Sequence, residues 1–321
     1  MRRLRATHGK QLFSFLPDGF LLPTEYTKFV AEYTRQEAKQ IWICKPSDSS
    51  RGRKIFLIRD LSDLVYDQPY VIQRYIDRPL TLGGYKLDLR IYVLVTSCAP
   101  LTAYLYREGL VRFGTEKYDG GSDSDLSNLY GHLTNASINK HSGTYDTEKD
   151  VIGAGCKWTL TSLFRRLEGE GRDMGRVWER TRTLVMCTLL ALPGVVPANP
   201  SCFELLGFDV MLDEALKPWL IEVNCSPALG IDCAVDEEIK YPLLSDTMEV
   251  LSHDAHRRAQ AAARAKATRR RGLAERAKQS QRSRERARGT GSGSGGAGGS
   301  GSSSSSGAGG GGRGRGRGGR S

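Results

Sequence analysis

The 321-residue sequence contains no apolar run close to the roughly 20 residues that a membrane-spanning helix requires. Its first ten residues are basic, but no apolar segment follows them as it would in a secretory signal peptide. The seven cysteines include no CxxC pair, and their number is odd. These absences argue against a membrane anchor, a disulfide-rich secreted protein and a zinc site, and they predict reduced, mostly buried thiols in the cytosol.

Two common catalytic signatures are also missing. The sequence has no GxxxxGK[ST] motif, which P-loop nucleotide-binding proteins use to hold phosphates. No grouping of serine, histidine and aspartate indicates a nucleophilic triad. The sequence also has no internal repeats. These absences argue against P-loop NTPases, triad hydrolases and repeat proteins.

Apolar residues nearly disappear after position 288, and basic residues are concentrated toward the same end. From Gly289 onward the chain is mostly Gly, Ser and Arg, so it cannot offset its ordering entropy and is predicted to be disordered. Residues 253–321 hold 17 of the 47 Lys and Arg and 3 of the 36 Asp and Glu. The net charge of +11 therefore divides into +14 for this segment and −3 for residues 1–252. Such a basic segment favours acidic polymers, namely nucleic acid, an anionic membrane or the surface of a microtubule.

The remaining sequence mixes strand and helix patterns. Lys86, Asp88 and Arg90 alternate with aliphatic residues, so a strand would place the three charges on one face. Further predicted strands are 41–45, 55–58, 70–75, 101–106, 110–113, 202–212 and 218–224. Predicted helices are 29–40, 157–168, 175–191 and a basic helix ending near 288, and residues 107–109 are predicted to connect two strands of a hairpin. This mixture indicates an α+β or mixed α/β fold.

An acidic group stands near the end of the foldable sequence. If strands 209–212 and 219–222 pair as a hairpin, Asp209 lies opposite Glu222, and Asn224 projects to the same side as Glu222. Two carboxylates and an amide are oxygen ligands suited to Mg²⁺. The alternative is a charged hairpin face whose acids are solvated.

A cationic group forms the second candidate. Lys45 ends a predicted strand just before the polar loop 47–53, whose backbone N–H groups could wrap phosphates, although a lysine there commonly faces solvent. Lys86 and Arg90 would contact phosphate, and Asp88 would contact a ribose. The alternative is an exposed sheet face with a cross-strand ion pair.

Six short motifs follow one another along the chain. They are Lys45-Pro46, Ser50-Arg51-Gly52, Gln73-Arg74-Tyr75-Ile76, Lys86-Leu87-Asp88-Leu89-Arg90, His132-Leu133-Thr134-Asn135 and Glu222-Val223-Asn224, the last followed by Ser226-Pro227. In this order they resemble the tubulin tyrosine ligase-like family, especially its polyglutamylase branch. The resemblance covers roughly residues 11–251.

The resemblance implies roles for individual residues. ATP contacts are implied for Lys45, Arg51, Gly52, Gln73, Arg74, Tyr75, Ile76, Lys86, Asp88, Thr134 and Asn135, with Gln73 to Ile76 as the strand that reads adenine. Mg²⁺ ligands are implied at Asp209, Glu222 and Asn224. Contacts to the carboxylates of an incoming amino acid are implied at Arg112 and Lys157, and catalytic roles at Arg90, Asn135 and Glu222.

The resemblance also implies a reaction and an architecture. A substrate carboxylate would attack ATP to give an acyl phosphate, and the amine of a free amino acid would then displace phosphate to form an amide. The expected fold is an α+β, ATP-grasp-type ligase core that lacks most of the amino-terminal lobe. The expected segments are a remnant or linker region (1–43), the catalytic core (44–252), a basic helical extension (253–288) and a disordered tail (289–321).

The same resemblance implies tubulin or microtubules and free L-glutamate as partners, with the basic helix engaging the microtubule. We expect a monomer without a membrane partner, located in the cytoplasm and cytoskeleton, including the cilium or basal body. Glycylation and tyrosination are alternative activities. The RGG-like run at Arg313, Arg315 and Arg317 makes RNA a further candidate partner. The alternative to an enzyme is a non-catalytic protein that binds microtubules or RNA.

Overall fold

The computed structural model describes residues 1–36, 40–48, 54–120, 126, 128–134, 157–193, 196, 199 and 202–289. Arg51, Gly52 and Asn135, all assigned to nucleotide binding from the sequence, lie outside these residues. The chain divides into two compact units, Met1–His256 and a second that begins at Arg257. The predicted division into four segments stays a prediction.

A small antiparallel sheet occupies the amino-terminal part of the first unit. Its strands are β1 (Gly19–Leu22), β2 (Trp42–Pro46), β3 (Phe56–Ile58) and β4 (Tyr70–Arg74), in the order β1-β4-β2-β3. Helices α1 (Arg2–His8) and α2 (Tyr26–Arg35) and the 3-10 turn η1 (Leu61–Asp63) accompany it. The ring of Phe29 from α2 meets Trp42 edge-on at 5.1 Å, and both are fully buried. This aromatic contact fixes the helix on one face of the small sheet.

A larger antiparallel sheet forms the centre of the same unit. Its strand order is β10-β9-β6-β7-β8, and the short β5 pairs with β6. The strands are β5 (Thr81–Leu82), β6 (Tyr85–Cys98), β7 (Leu101–Lys117), β8 (Lys157–Thr159), β9 (Glu204–Leu212) and β10 (Pro218–Asn224). The two antiparallel sheets and their helices agree with the predicted α+β class, while the identity of the lobes stays a prediction.

The alternation predicted for β6 is confirmed, and it separates a core face from a charged face. Leu87, Leu89 and Ile91 are almost completely buried in the main hydrophobic cluster. Helices α4 (Leu160–Gly169) and α5 (Met174–Leu189) contribute leucine and valine side chains to that cluster. Packing therefore fills one face of the sheet. On the other face Tyr92 and Leu110 join a smaller apolar cluster, and neighbouring positions carry the polar residues described below.

The predicted hairpin at residues 107–109 is wrong. The structure has one continuous strand, β7, through these residues, and the tight connection lies between β6 and β7 instead. A Cβ atom on Gly109 would come within 2.6 Å of the carbonyl oxygen of Arg90. The glycine therefore permits a close approach between neighbouring strands at a register irregularity, rather than a chain reversal.

Two more helices complete the described chain, α3 (Leu129–His132) and α6 (Ala234–Gly289). The boundary between the two units falls within α6. None of the described helices combines the length and the apolar character that crossing a membrane requires. The expectation of mostly buried thiols is wrong for the described cysteines, because only Cys44 and Cys187 are buried and the other four lie in partly or fully exposed segments.

Candidate functional site

A cavity of about 390 Å³ is lined by residues of both sheets. Its apolar wall includes Ile43, Val71 and Met211, while Lys45 and Lys86 contribute cations. The predicted adenine-reading residues Gln73, Arg74, Tyr75 and Ile76 all line it, as do Asp88, Thr134, Asp209 and Glu222. Apolar surface beside convergent charged groups is typical of a site for a ligand with a planar ring and an anionic group.

Six charged side chains extend across five strands of the large sheet on the face opposite the core. Strand register places Glu222 opposite Asp209, Asp209 opposite Arg90, Asp88 opposite Arg112, and Arg112 opposite Lys157. We call these residues the charged row. Its anionic end is Glu222 and Asp209, and its cationic end is Arg112 and Lys157. The predicted pairing of Asp209 with Glu222 is confirmed.

The middle of the charged row is held by ion pairs between buried groups. Arg112 Nε donates to Asp88 Oδ1 at 2.7 Å, and its Nη2 lies 2.9 Å from Asp209 Oδ2. Arg90 Nη2 donates to the same oxygen of Asp209 at 3.1 Å. Burial by itself would raise the pKa of Asp209, but Arg112 and Arg90 outweigh it and hold that pKa well below its usual range. Asp209 is therefore a fixed anion.

Asp88 has a second partner, since Thr134 Oγ1 donates to its Oδ2 at 2.7 Å. Asp88 is 5% exposed, so its contacts position Arg112 and Thr134 from inside the protein.

A glycine allows Arg90 to reach Asp209. A Cβ atom at Gly207 would lie 2.8 Å from Pro227 Cβ and 3.0 Å from Arg90 Cδ. Because real Cβ atoms do not tolerate such contacts, a side chain at position 207 would displace Pro227 or Arg90 from its present place.

Two lysines line the cavity, Lys45 from β2 of the small sheet and Lys86 from β6 of the large sheet. Lys45 Nζ donates to Gln73 Oε1 at 3.1 Å. Lys86 is 1% exposed, and its Nζ donates to Tyr75 Oη at 2.8 Å and to the carbonyl oxygen of His132 at 2.7 Å. Burial lowers the pKa of Lys86 to about 7 and also lowers the pKa of Lys45. An anionic ligand beside these lysines would stabilise the protonated form of both ammonium groups.

The oxygen groups at the anionic end fit a hard divalent cation. Burial, and then the charge of Asp209, raise the pKa of Glu222, so the two carboxylates repel each other where they meet. Asn224 Nδ2 lies 3.1 Å from Glu222 Oε1, which places its amide beside the pair. A cation would relieve the repulsion and could share the oxygens of Asp209 with the arginines, since each carboxylate oxygen has two lone pairs. No group of three His, Cys, Asp or Glu able to hold a metal occurs among the described residues, so the amide of Asn224 is needed.

The predicted substrate-binding cations are both engaged by protein carboxylates. Arg112 contacts Asp88 and Asp209, as described above. Lys157 Nζ donates to Asp236 Oδ2 at 2.6 Å and to Asp232 Oδ2 at 3.4 Å. Their roles toward an amino acid stay predictions, and each would have to share its donors with a ligand.

Sequence reasoning missed Asp236 and Lys240 in α6, and it did not identify His132 as the residue whose carbonyl holds Lys86. Asp236 and Lys240 are one helical turn apart, and Lys240 Nζ lies 2.8 Å from Asp236 Oδ1. The available signal was an acidic residue and a lysine at i and i+4 near the start of a helix. That pattern is common on solvent-exposed helix faces, and nothing in it indicates burial.

Comparison with known proteins places the chain in a family. The sequence profile of the tubulin-tyrosine ligase family matches residues 1–259. The chain is 46% identical over 256 residues to the probable tubulin polyglutamylase TTLL2 of Homo sapiens, which covers 78% of this chain and 43% of that protein. It is 41% identical over 271 residues to the tubulin polyglutamylase TTLL5 of Homo sapiens, a match that covers 81% of this chain and 21% of that protein. It is 36% identical over 277 residues to the tubulin polyglutamylase TTLL7 of Homo sapiens, a match that covers 81% of this chain and 31% of that protein.

The family profile covers the whole of the first unit, Met1–His256. The chain spans less than half the length of these relatives. The chain belongs to the tubulin-tyrosine ligase family.

Proposed function

We propose that this chain carries the core of a tubulin polyglutamylase, which uses ATP and Mg²⁺ to join free L-glutamate to glutamate side chains of tubulin carboxy-terminal tails. The charged row beside the cavity carries this proposal, because it presents separate sites for a metal–phosphate group and for a carboxylate. The names of the similar proteins, two tubulin polyglutamylases and one probable tubulin polyglutamylase, support the choice of substrate.

ATP would occupy the cavity with its base against the apolar wall and strand β4. Lys45 and Lys86, which line the cavity, would then neutralise the phosphates, and Arg90, which is paired with Asp209 in the adjoining charged row, would add a third cation. The apolar lining would exclude water from the phosphate that is transferred, which strengthens each of these charge contacts. Mg²⁺ held by Asp209, Glu222 and Asn224 would neutralise phosphate charge when bound.

The reaction would proceed in two steps without a protein nucleophile. An acceptor carboxylate attacks the γ-phosphorus of ATP, forming an acyl phosphate and releasing ADP. The uncharged amine of glutamate then attacks the acyl carbon, expels inorganic phosphate and forms an amide after losing a proton. Arg112 and Lys157 would orient the glutamate by its carboxylates, so the protein contributes position and charge rather than a covalent intermediate.

The test is incorporation of labelled amino acids into tubulin by this chain with ATP and Mg²⁺. We expect glutamate to be incorporated, and glycine and tyrosine not to be. Incorporation of glycine or tyrosine instead would establish the corresponding alternative activity. A chain that incorporates no amino acid but cosediments with microtubules or binds RNA would be a binding protein, contrary to our proposal.

We further propose that the segment beginning at Arg257 binds the acidic microtubule surface. Residues 253–321 carry a net charge of +14, and the described part of the segment is helical through Gly289. We expect deletion of residues 257–321 to weaken microtubule cosedimentation at least about tenfold at low salt and to remove most of its salt dependence, because screening acts on exposed charges.

The matched control for this prediction is deletion of residues 290–321 alone, which removes the RGG-like run and keeps the helical residues. It should bind microtubules nearly as well as the full chain. Equal binding by the full chain and by the chain ending at His256 would contradict the proposed role.

A further inference from the structure

A buried carboxylate at the start of α6 gathers two lysines beside the cationic end of the charged row. Asp236 is 0% exposed. Its Oδ2 accepts from Lys157 Nζ at 2.6 Å and from the backbone N–H of Asp232 at 3.0 Å, while its Oδ1 lies 2.8 Å from Lys240 Nζ. Lys240 Nζ also donates to the carbonyl oxygen of Gly230 at 2.6 Å. Asp236 therefore ties α6 and the loop before it to the first residue of β8.

The charge of Asp236 is stable in this setting. Burial by itself would raise its pKa, but hydrogen bonds from Lys157 and Lys240 outweigh burial and lower the pKa to about 2. A buried anion between two ammonium groups cannot be removed cheaply, because each lysine would lose its counter-charge. Asp236 is thus a permanent part of this group.

Asp232 differs from Asp236 in both distance and exposure. Its carboxylate lies 3.4 Å from Lys157 Nζ, and its side chain is 38% exposed, whereas that of Asp236 is fully buried. A long contact from a partly exposed carboxylate contributes little stability. Of the two carboxylates, Asp232 is therefore the one whose contact with Lys157 a competing anion would displace more easily.

The group can accept a carboxylate of a ligand in the place of Asp232. Lys157 and Lys240 bring two positive charges to the buried carboxylate of Asp236, and Asp232 brings a second carboxylate to Lys157. A ligand carboxylate could make the same contact with Lys157, and strand register places Lys157 beside Arg112 on the face that carries the charged row.

We propose that Asp236, with Lys240, is a positioning residue that fixes the Lys157 ammonium for a carboxylate of the incoming amino acid, and that Asp232 occupies the position of that carboxylate when no amino acid is bound. This inference rests on the function proposed above. Asp236 holds the Lys157 ammonium in place and keeps its contact with it. Asp232 competes with the substrate carboxylate for Lys157 and is displaced when the substrate binds.

The two aspartates should respond oppositely to the same substitution. Asp232→Asn removes a competitor while keeping side-chain volume, so we expect the KM for glutamate to fall about threefold or more. Asp236→Asn leaves Lys157 and Lys240 without their shared anion, so Lys157 loses its fixed position. We expect the KM for glutamate to rise at least about tenfold, which corresponds to about 1.4 kcal/mol.

The KM for ATP and kcat should change by less than about twofold in both variants, since neither carboxylate is among the residues that line the cavity. The matched control is Glu237→Gln, an exposed acidic residue next to Asp236 in the same helical turn. It should leave all three constants unchanged.

The measurement is steady-state incorporation of labelled glutamate, with the thermal unfolding temperature of each variant recorded in parallel. Asp232→Asn decides the matter even if Asp236→Asn does not fold, because Asp232 lies at the surface. An unchanged or higher KM for glutamate in Asp232→Asn overturns the inference, as does an equal rise of the KM for glutamate and the KM for ATP in a folded Asp236→Asn protein. A wild-type chain that incorporates no amino acid refutes the proposed function, whereas an active wild type with these outcomes refutes the inference alone.

Discussion

Glu222→Gln should reduce glutamate incorporation about 10³-fold or more, the scale expected when a preorganised charge at a reacting phosphate is lost. Glutamine keeps the size of the side chain and can still accept a hydrogen bond from Asn224, which lies 3.1 Å away. It cannot supply the negative charge that a divalent cation requires beside Asp209. The loss should therefore appear in the chemistry rather than in the fold.

In the absence of nucleotide, Glu222→Gln should be at least as stable to unfolding as the wild type. Burial, and then the charge of Asp209, raise the pKa of Glu222 in the folded protein, so removing its charge removes both the cost of burying it and a repulsion between two carboxylates. The shift in unfolding temperature that Mg²⁺ and ATP together produce should shrink in the variant, because ligand binding to the native state is what stabilises it.

The matched control is Glu204→Gln, an exposed glutamate at the other end of β9. It should retain full activity and the full shift in unfolding temperature. Undiminished incorporation by Glu222→Gln would eliminate the metal assignment, and an equal loss in Glu204→Gln would mean that the sheet itself had been disturbed.

The sequence predicts the parts of the site that follow from strand periodicity. Period-2 alternation places Lys86, Asp88 and Arg90 on one face of β6, and a short hairpin brings Asp209 opposite Glu222. Both relations depend only on local backbone geometry. A pattern of a few residues therefore contains all the information that these contacts require.

Relations that depend on tertiary packing could not be predicted in this way. Asp236 and Lys157 are 79 positions apart, and they meet because Ile239 and Leu243 of α6 pack on Tyr92 and Leu110. Nothing in the spacing of the two residues indicates that contact. Gly109 was misread for the same reason, since its role is to admit the neighbouring strand, and a glycine between polar residues indicates a turn when only local sequence is considered.

The second large effect is expected at Lys86. Lys86→Met should lower the affinity for ATP about 10²–10³-fold, the range expected when one partner of a buried charge pair is truncated. Lys86 is 1% exposed, and its ammonium group donates to Tyr75 Oη and to the carbonyl oxygen of His132. Because burial lowers its pKa to about 7, phosphate binding should raise that pKa and take up a proton near and above neutrality.

This proton uptake gives a readout that a purely structural lysine would not give. Calorimetric titration of the wild type with ATP at pH 8, in buffers of different ionisation enthalpy, should reveal proton uptake, and affinity should fall as pH rises above about 7. Lys86→Met should bind weakly with no linked proton at this site. Lys28→Met, at an exposed helix position, should behave like the wild type.

The lowered pKa of Lys86 also determines how the stability of the protein depends on pH in the absence of nucleotide. Between the folded pKa of about 7 and the ordinary value of 10.5, the unfolded chain binds the lysine proton and the folded protein does not. The free energy of unfolding of the wild type should therefore rise relative to that of Lys86→Met as pH increases through this interval. Urea denaturation at pH 7 and pH 9 measures the difference. A difference that is independent of pH, together with unchanged ATP affinity, would show that Lys86 is charged without nucleotide and does not hold phosphate.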